Sequence, residues 1–285
     1  MKSLAIKIYT VIVNILSGTG LYRFKAVKKL NKFILKAIRK KMVNVNGLKL
    51  YLDKKDSLNL SINTNYEPIE TKFVKDKVKK GQIVVDVGAN IGYYTTLLAS
   101  LVGETGKVYA FEPDRENYEL LKRNISANNL SNVIAENMAV SDVTCEIEMF
   151  YSNDKGDQRI YNSNDGRSSY KVKAITLDDY FKSINEEIHF LKMDIQGAEG
   201  MALIGMKTTI NKNKSILLNV EYWPYGLEKC GFGSYNLLKL LESLGLDFYD
   251  LNNEKLSIEN KDDFNTLYKP ETKKFTNLIC SHKII

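Results

Sequence analysis

Residues 84–95 read Val-Val-Asp-Val-Gly-Ala-Asn-Ile-Gly-Tyr-Tyr-Thr, an apolar run that stops at an acid and continues into two glycines four positions apart. The acid is Asp86, and the glycines are Gly88 and Gly92. The next stretch, Tyr93 to Val102, is largely apolar and contains no proline, which favours a helix. A buried strand that ends in a carboxylate and a glycine-lined turn is expected where a ligand comes close to the backbone.

Apolar runs and amphipathic stretches alternate along the rest of the chain. Near-continuous apolar strands between helical patterns indicate a parallel sheet covered on both faces. Segment 145–176 breaks the rhythm with two strand-like runs around a polar loop, which predicts an antiparallel hairpin inserted into the wound sheet. The predicted strands are 82–88, 107–113, 132–140, 189–197, 215–223 and an edge strand at 275–283, and the predicted helices are 91–102, 114–129, 177–184, 199–210 and 234–244.

The composition is that of a globular protein with an uneven charge. The chain has 285 residues, of which 44% are hydrophobic and 26% charged, and its net charge is +7. Residues 1–52 hold twelve Lys or Arg and no acid, so the remainder has 41 − 12 = 29 basic against 34 acidic side chains. We therefore predict a basic, helical N-terminal arm, 1–52, and one domain, 53–285.

The cysteines favour a reducing, cytoplasmic compartment. Cys145, Cys230 and Cys280 are odd in number and far apart, and they form no C-x-x-C pair. Neither a disulfide framework nor a structural zinc site is expected from this spacing.

The arm allows two interpretations. Its apolar segment, 4–16, is too short for a membrane span of about 20 residues, and Lys7 interrupts it. The spacing over 25–42 is helical, with one apolar face and a basic remainder. This helix is either packed on the domain with its basic side in water, or interfacial, so that residues 1–42 make a peripheral contact with anionic membrane.

Acids at two successive strand ends predict a nucleoside site. In doubly wound sheets, ligands bind beyond the carboxyl ends of the strands, and an acid ending the second strand, here Glu112, commonly holds ribose hydroxyls. The turn reads G-A-N-I-G and so lacks the G-x-G-x-x-G pattern of dinucleotide sites. The carboxylate of Asp86 repels a pyrophosphate but suits an ammonium or sulfonium group, which favours S-adenosylmethionine. The alternative is a glycine pair in an ordinary turn.

Four segments carry a family resemblance. In order they read VVDVGANIGYYT, AFEPDRENYELLKRN, AENMAVSD and LKMDIQGAEG. Together they resemble the FkbM-like family of S-adenosylmethionine-dependent O-methyltransferases, from about Tyr66 to the C-terminus. The resemblance implies the α/β class I methyltransferase (Rossmann-like) fold, a doubly wound, mostly parallel seven-stranded sheet with its last strand antiparallel.

The resemblance also implies roles for single residues. The loop on the methionine side of the cofactor would contain Asp86, Gly88, Asn90 and Gly92. Glu112 would hold the ribose, and Asp194 would stand near the methyl group. Family members often have Glu where this chain has Gln196, which leaves the role of that position open. The residues that would flank the adenine are Asn137, Met138, Ala139 and Asp142.

Methyl transfer to a hydroxyl benefits from a base that removes the acceptor proton. Asp194 and Glu221, which end successive strands, are the candidate catalytic residues. Glu199 opens a predicted helix, which makes it the weaker candidate base, and we group it with the substrate-binding residues. No acid–amide pair at a convincing spacing supports a metal site.

The acceptor is expected to be a hydroxyl of a glycan, sugar or other small metabolite. Gln158, Arg159 and Trp223 lie in segments that should border the open site, although ordinary core or loop roles are an equal alternative. A catalytically weak, cofactor-binding scaffold in glycan assembly is a second hypothesis, suggested by Gln196. A nicotinamide oxidoreductase is disfavoured by the glycine spacing, and nucleic acid is disfavoured because the domain shows no basic, aromatic surface pattern.

Overall fold

The structure is a computed structural model of the chain. It describes residues 2–16, 19–20, 23–63, 65–152, 158–162, 166–251, 255–256 and 269–282.

The main sheet confirms the predicted fold class. Its strands are β3 (Ile83–Val87), β4 (Lys107–Phe111), β5 (Val133–Glu136), β9 (Phe190–Met193), β10 (Leu217–Tyr222), β11 (Asp247–Tyr249), β12 (Lys255–Leu256) and β13 (Thr276–Ser281). Their order is β12-β11-β13-β10-β9-β3-β4-β5. The five neighbouring strands β5, β4, β3, β9 and β10 pair in parallel. Strand β13 runs antiparallel to β10 and β11. The two-residue strand β12 extends the predicted seven strands at one edge.

Helices cover both faces of this sheet. Successive residues of β3 face opposite sides, so that Val84 and Val85 belong to separate buried clusters. The helices of the domain are α3 (Pro68–Lys77), α4 (Tyr93–Val102), α5 (Arg115–Ala127), α6 (Leu177–Tyr180), α7 (Glu199–Ile204), α8 (Lys207–Lys212), α9 (Pro224–Lys229) and α10 (Ser234–Ser243). One predicted helix, 199–210, is therefore two.

The predicted hairpin forms, but in a sheet of its own. Its strands are β7 (Cys145–Phe150) and β8 (Ser169–Ile175), which pair antiparallel. A short strand, β6 (Ala139–Val140), pairs in parallel with β8. The predicted strand 132–140 is thus divided between two sheets, and the small sheet stands over the carboxyl end of the large one.

The N-terminal region consists of two helices and a β-hairpin. The helices are α1 (Lys2–Leu16) and α2 (Lys25–Ile38), and the Tyr9 hydroxyl donates a 2.6 Å hydrogen bond to Asn31 Oδ1 between them. Within the described residues, no helix is long and apolar enough to cross a membrane.

The β-hairpin joins the arm to the domain. Its strands are β1 (Met42–Val45) and β2 (Leu48–Tyr51), and Asn46 and Gly47 both adopt the positive φ of an Asn-Gly hairpin turn. Asn124 of α5 accepts a 2.6 Å hydrogen bond from the Tyr51 amide and donates to the carbonyls of Tyr51 and Ile91. The last residues of the predicted arm therefore pack on the domain, while the division at residue 52 stays a prediction.

Candidate active site

A cavity of about 770 Å³ lies at the carboxyl ends of the parallel strands. Acids from four strand ends reach it, because parallel strands end at the same edge of a sheet. These acids are Asp86, Glu112, Asp194 and Glu221. Other predicted site residues on its wall are Gly88, Asn90, Met138, Ala139, Gln158, Arg159 and Trp223.

The two glycines of the opening segment are required because neighbouring parts of the chain leave no room for a side chain at either position. Gly88 has φ +85°, and a Cβ there would lie 2.0 Å from the carbonyl oxygen of Asp194. Gly92 has φ +91°, and its Cβ would lie 2.7 Å from Leu121 Cδ1. The close approach expected from the sequence is therefore made by neighbouring elements of the fold. Gly92 lies behind the loop and is not part of the cavity wall.

Asp86 is buried below the loop, and it is 1% exposed. Its Oδ2 accepts a 2.5 Å hydrogen bond from Thr95 Oγ1. Burial raises the pKa of Asp86, whereas the Lys192 ammonium and the Thr95 hydroxyl act in the opposite direction. The carboxyl group is thus held in place at the cavity floor.

Glu112 is buried, and both of its oxygens accept backbone hydrogen bonds. Oε2 accepts from the Asn90 amide at 2.7 Å, and Oε1 accepts from the Asp114 amide at 2.8 Å. Burial raises the pKa of Glu112 to about 8, although these amides act to lower it. The Asn117 side chain also hydrogen-bonds to this carboxylate. Two oxygens have about four acceptor positions in all, so the carboxylate can still accept from a ribose hydroxyl.

Two of the four predicted adenine-flanking residues line the cavity, Met138 and Ala139. Asn137 instead donates from Nδ2 to the carbonyl oxygens of Glu112 and Pro113, at 2.9 and 3.0 Å. Asp142 accepts from the Ser141 hydroxyl at 3.0 Å and is not on the wall. Asn137 therefore fixes the loop that carries Glu112, and Asp142 lies apart from the cavity.

The ends of β9 and β10 bring together two carboxylates and one amide. Gln196 Nε2 lies 2.9 Å from Asp194 Oδ1 and 3.4 Å from Glu221 Oε2. An amide that donates to both acids reduces their mutual repulsion. Burial raises the pKa of Glu221 well above its ordinary value, and the carboxylates of Asp194 and Glu199 raise it further. The cluster of Asp194, Gln196 and Glu221 thus contains a carboxyl group that is a strong base once ionised.

Lys192 is a buried cation beside this cluster that the sequence did not reveal. Its Nζ lies 3.4 Å from Asp194 Oδ2, 3.8 Å from Glu70 Oε1 and 4.5 Å from the centroid of the Tyr94 ring. Burial alone would lower the pKa of the ammonium group, but the carboxylates of Asp194 and Glu70 raise it above its ordinary value. Lys192 therefore stays charged and offsets part of the negative charge of the site. A lysine inside the apolar run Phe-Leu-Lys-Met was the available signal.

The segment before α3 closes one side of the cavity. Tyr66 and Glu67 line it, and Glu67 Oε2 accepts a 3.0 Å hydrogen bond from the Tyr94 hydroxyl. Glu70, in the first turn of α3, accepts from Asn219 at 2.9 Å and from Asn277 at 2.7 Å. These buried hydrogen bonds connect the segment to β10 and β13, and no sequence pattern had indicated them.

The opposite wall is basic and aromatic. The Arg159 guanidinium lies 5.1 Å from the centroid of the Trp223 ring, and the Lys273 ammonium lies 4.7 Å from that of the Tyr225 ring. Arg167 also lines the cavity. The structure thus brings Arg159 and Trp223 together, as expected for residues that border one site.

Glu199 does not reach the cavity wall. It is fully buried, and its Oε1 accepts from the amides of Ile195 and Gly197 at 3.0 and 3.2 Å. Burial raises its pKa to about 7. Glu199 therefore supports the loop that carries Gln196.

Left-handed backbone is concentrated around the cavity. Glu67, Asn90, Gln196 and Lys273 line it, and each has φ between 43° and 59° although none is glycine. Such conformations cost roughly 1–3 kcal/mol each and cluster at functional sites.

Sequence comparison identifies relatives that match parts of the chain. The Protein-L-isoaspartate(D-aspartate) O-methyltransferase family model matches residues 27–142. Protein-L-isoaspartate O-methyltransferase of Methanococcoides burtonii is 35% identical over 57 residues, 20% of this chain and 28% of that protein. The catalytic subunit of tRNA (adenine(58)-N(1))-methyltransferase of Yarrowia lipolytica is 32% identical over 72 residues, 25% and 18% of the two chains. The chain thus spans less than a third of either relative.

Two solved structures match about three quarters of this chain at low identity. A SAM-dependent methyltransferase of Aquifex aeolicus has a TM-score of 0.41 and 16% identity, over 76% of this chain and 90% of its own. Fibrillarin of Aeropyrum pernix, with bound S-adenosyl-L-methionine, has a TM-score of 0.40 and 10% identity, over 74% and 73%.

One family model covers more than half of the chain, from the first strand-end acid of the cavity to the start of β11. It is the Methyltransferase FkbM domain, which matches residues 86–246. The chain therefore belongs to the FkbM methyltransferase domain family, and its cofactor is S-adenosylmethionine.

Proposed function

We propose that this protein transfers the methyl group of S-adenosylmethionine to oxygen, at a hydroxyl of a glycan, sugar or other small metabolite. The observation that carries the proposal is the cluster of Asp194, Gln196 and Glu221 on the cavity wall. An alcohol is a weak nucleophile that gains from a proton acceptor during attack, and this cluster offers two carboxylates in one place.

The side chains of the cavity fit S-adenosylmethionine. The Glu112 carboxylate is suited to the ribose hydroxyls, and the apolar residues Met138 and Ala139 are suited to the adenine faces. The acidic groups of Asp86 and Asp194 favour a ligand with an ammonium and a sulfonium group. When bound, the cofactor supplies an electrophilic methyl group.

The residues of the cluster would have separate tasks. Lys192 and Gln196 hold the Asp194 carboxylate in one orientation through contacts at 3.4 and 2.9 Å. Glu221, with its raised pKa, accepts a proton only after it has ionised, and it then binds that proton strongly. We propose that Asp194 and Glu221 receive the hydroxyl proton as a pair, and that the Lys192 ammonium offsets the repulsion between the two carboxylates before the proton arrives.

The basic and aromatic wall supports a polar, sugar-like acceptor. Trp223 and Tyr225, with ring centroids 5.4 Å apart, provide flat apolar surfaces. Arg159 and Lys273 add hydrogen-bond donors above those rings. Stacking surfaces combined with planar polar groups suit the alternating apolar faces and hydroxyl edges of a sugar.

The test is formation of S-adenosylhomocysteine from S-adenosylmethionine with a panel of acceptors. The panel contains neutral sugars, uronic acids, hexose phosphates, phenols, amines and a tRNA transcript. Activity with a hydroxyl acceptor, absent from Asp194→Asn/Glu221→Gln protein that still binds S-adenosylhomocysteine, would support the proposal. Transfer to nitrogen alone would contradict it. Cofactor binding without turnover on any acceptor would favour the scaffold hypothesis.

We further propose that the arm attaches the enzyme to anionic membrane. Helices α1 and α2 expose large apolar side chains, including Ile15 at 70%, Leu30 at 59% and Phe33 at 71%. The same region holds twelve basic and no acidic residues up to residue 52. Apolar side chains that enter the interface next to lysines that face lipid phosphates are the features of interfacial helices.

Sedimentation with vesicles tests this attachment. Full-length protein should pellet with vesicles containing phosphatidylserine, and less so at high salt, because the electrostatic part of the attraction is screened. Phe33→Glu should weaken binding, whereas Ile69→Glu, at a 65% exposed site on α3, should not. Equal binding of all three proteins, or binding to neutral vesicles only, would contradict the proposal.

A further inference from the structure

The acids and most of the cations on the cavity wall come from different parts of the fold. Among the described residues that line the cavity, the acids lie at the carboxyl ends of parallel strands or just before α3, and they are Glu67, Asp86, Glu112, Asp194 and Glu221. Lys192 of β9 lies among them, 3.4 Å from Asp194 Oδ2. The other cations lie on segments outside the parallel strands. Arg159 and Arg167 belong to the connection between β7 and β8, and Lys273 belongs to the segment before β13.

Two of these cations form one surface with two aromatic rings. The Arg159 guanidinium lies 5.1 Å from the centroid of the Trp223 ring, and the Lys273 ammonium lies 4.7 Å from that of the Tyr225 ring. The centroids of the two rings are 5.4 Å apart, and all four residues line the cavity. Each ring of the pair therefore has a cation beside it, so that a ligand lying on the rings is exposed to a positive field.

Arg159 lies deep in the cavity wall, where it is only 6% exposed. Its carbonyl accepts a 2.7 Å hydrogen bond from the amide of Phe150 at the end of β7, which fixes the backbone of the connection there. Charges far from bulk water are weakly screened, so a buried guanidinium attracts an anion more strongly than an exposed one does. The planar guanidinium also matches two oxygens of a carboxylate or phosphate.

This surface adjoins the cluster of carboxylates that we propose receives the hydroxyl proton. Trp223 follows Glu221 by two residues at the end of β10. The Tyr161 hydroxyl donates a 2.7 Å hydrogen bond to the carbonyl oxygen of Gln196. The connection that carries Arg159 is thereby held against the loop that carries Gln196. A charge bound at Arg159 would therefore lie close to the hydroxyl that is methylated.

We propose that the acceptor is an anionic sugar, whose carboxylate, phosphate or sulfate group is bound by Arg159, while Lys273 strengthens the positive field on that side. The proposal rests on the proposed transfer to a hydroxyl and narrows its substrate class. A neutral sugar needs only flat rings and hydrogen-bond donors, whereas two positive charges beside those rings favour an anion. The carboxylates of the cluster repel the same group. The field therefore orients the sugar with its charged edge toward Arg159 and an uncharged hydroxyl toward the cluster.

Binding of sugars to protein saturated with S-adenosylhomocysteine tests the proposal without requiring turnover. Ligand-observed NMR titrations compare methyl glucuronoside with its carboxamide, and glucose 6-phosphate with glucose. The members of each pair share a sugar ring and differ in charge, and the two pairs separate carboxylate from phosphate. Wild-type protein should bind the charged member about tenfold to a hundredfold more tightly, the range expected for a charge-assisted contact. The preference should decrease at high salt.

Substitutions locate the source of this preference. Arg159→Gln should bind charged and neutral members with similar affinity, and Lys273→Gln should lose a smaller part of the preference. Arg123→Gln is a matched control, because this guanidinium also lies over a ring, 3.6 Å from the centroid of Tyr51, but is not on the cavity wall. Lys274→Gln removes the exposed lysine next to Lys273. Both controls should keep the wild-type preference.

Equal binding of charged and neutral sugars by wild-type protein overturns the proposal, as does failure of both charged sugars to bind. A preference that persists unchanged in Arg159→Gln and Lys273→Gln overturns it too. Calorimetry with S-adenosylhomocysteine supplies a further criterion, because Arg159→Gln protein that loses affinity for it as well would place the arginine at the cofactor carboxylate and overturn the assignment. If thermal unfolding shows that Arg159→Gln is not folded, Lys273→Gln, at an exposed site, decides. Preference for charged sugars without methyl transfer to any hydroxyl would contradict the proposed function alone.

Discussion

Glu112→Gln should weaken both the cofactor site and the fold. In the wild type, each carboxylate oxygen accepts one backbone hydrogen bond, at 2.7 and 2.8 Å. The substitution places an –NH₂ group against one of these two N–H donors. One buried amide then lacks an acceptor, which should lower the free energy of unfolding by about 1–3 kcal/mol. One charge-assisted bond to the ribose is lost as well, which should cost about 1.5–3 kcal/mol of binding, or roughly tenfold to a hundredfold in affinity.

The effect of pH separates these two losses. Burial raises the pKa of Glu112 to about 8 in the folded protein. On the proposed ribose assignment, hydroxyls donate to the ionised carboxylate, so the affinity of wild-type protein for S-adenosylhomocysteine should rise from about pH 6.5 to about pH 8.5. Glu112→Gln should lose this dependence. The exposed Glu119→Gln is the matched control, and both variants are followed by calorimetry and thermal unfolding. A destabilised Glu112→Gln protein that binds with wild-type affinity at every pH would refute the ribose assignment.

Three further substitutions test other parts of the site. Gly88→Ala should lower the free energy of unfolding, measured by chemical denaturation, by about 2 kcal/mol or more beyond the loss in Gly47→Ala. Both glycines have positive φ, but only the Cβ at Gly88 meets the carbonyl of Asp194, and equal losses would contradict this reasoning. Glu221→Gln should reduce turnover by roughly 10²–10⁴-fold and abolish its rise with pH, since the carboxyl group with raised pKa must ionise to accept a proton; a wild-type rate profile would exclude it as the base. Burial raises the pKa of Glu199 to about 7, so the contribution of its protonated form to the free energy of unfolding is complete below about pH 4 and is lost as pH rises through 7. Glu199→Gln should remove up to about 3 kcal/mol of this loss of stability with pH, and a loss as steep as in the wild type would be the contrary result.

The sequence predicted the sheet because its strands are buried on both faces. Such strands are continuous apolar runs, which stand out between amphipathic helices. The end of helix α7 could not be read in this way, because its cause is tertiary. The helix ends before Gly205, where a Cβ would lie 2.0 Å from the carbonyl of Ser141, a contact between distant positions that apolar spacing does not show. The Asn46-Gly47 pair is a local indicator of a β-hairpin, whereas residues 1–52 were predicted as a helical arm because they are uniformly basic.

The acids at the cavity were predictable by position, and their supports were not. Asp86, Glu112 and Asp194 end successive parallel strands, and strand ends meet at one edge. Lys192 precedes such an end by two residues, and a lysine in an apolar run does not indicate which carboxylates it will contact. The bonds from Glu70 to the central strands join positions up to 207 residues apart, and spacing along the chain contains no information about them.

The position of Trp223 gives the protein an optical reporter of the proposed acceptor side of its cavity. It is the single tryptophan of the chain, and a Cβ on Gly226 would lie 2.1 Å from its ring, so the indole is held against the backbone of α9. The Arg159 guanidinium lies 5.1 Å from the centroid of the Trp223 ring. Any acceptor that displaces this cation should change the indole emission, whereas a ligand confined to the ribose and adenine slots should leave it nearly constant. The two halves of the cavity can thus be followed separately in unlabelled protein, which allows the order of cofactor and acceptor binding to be timed by stopped-flow fluorescence.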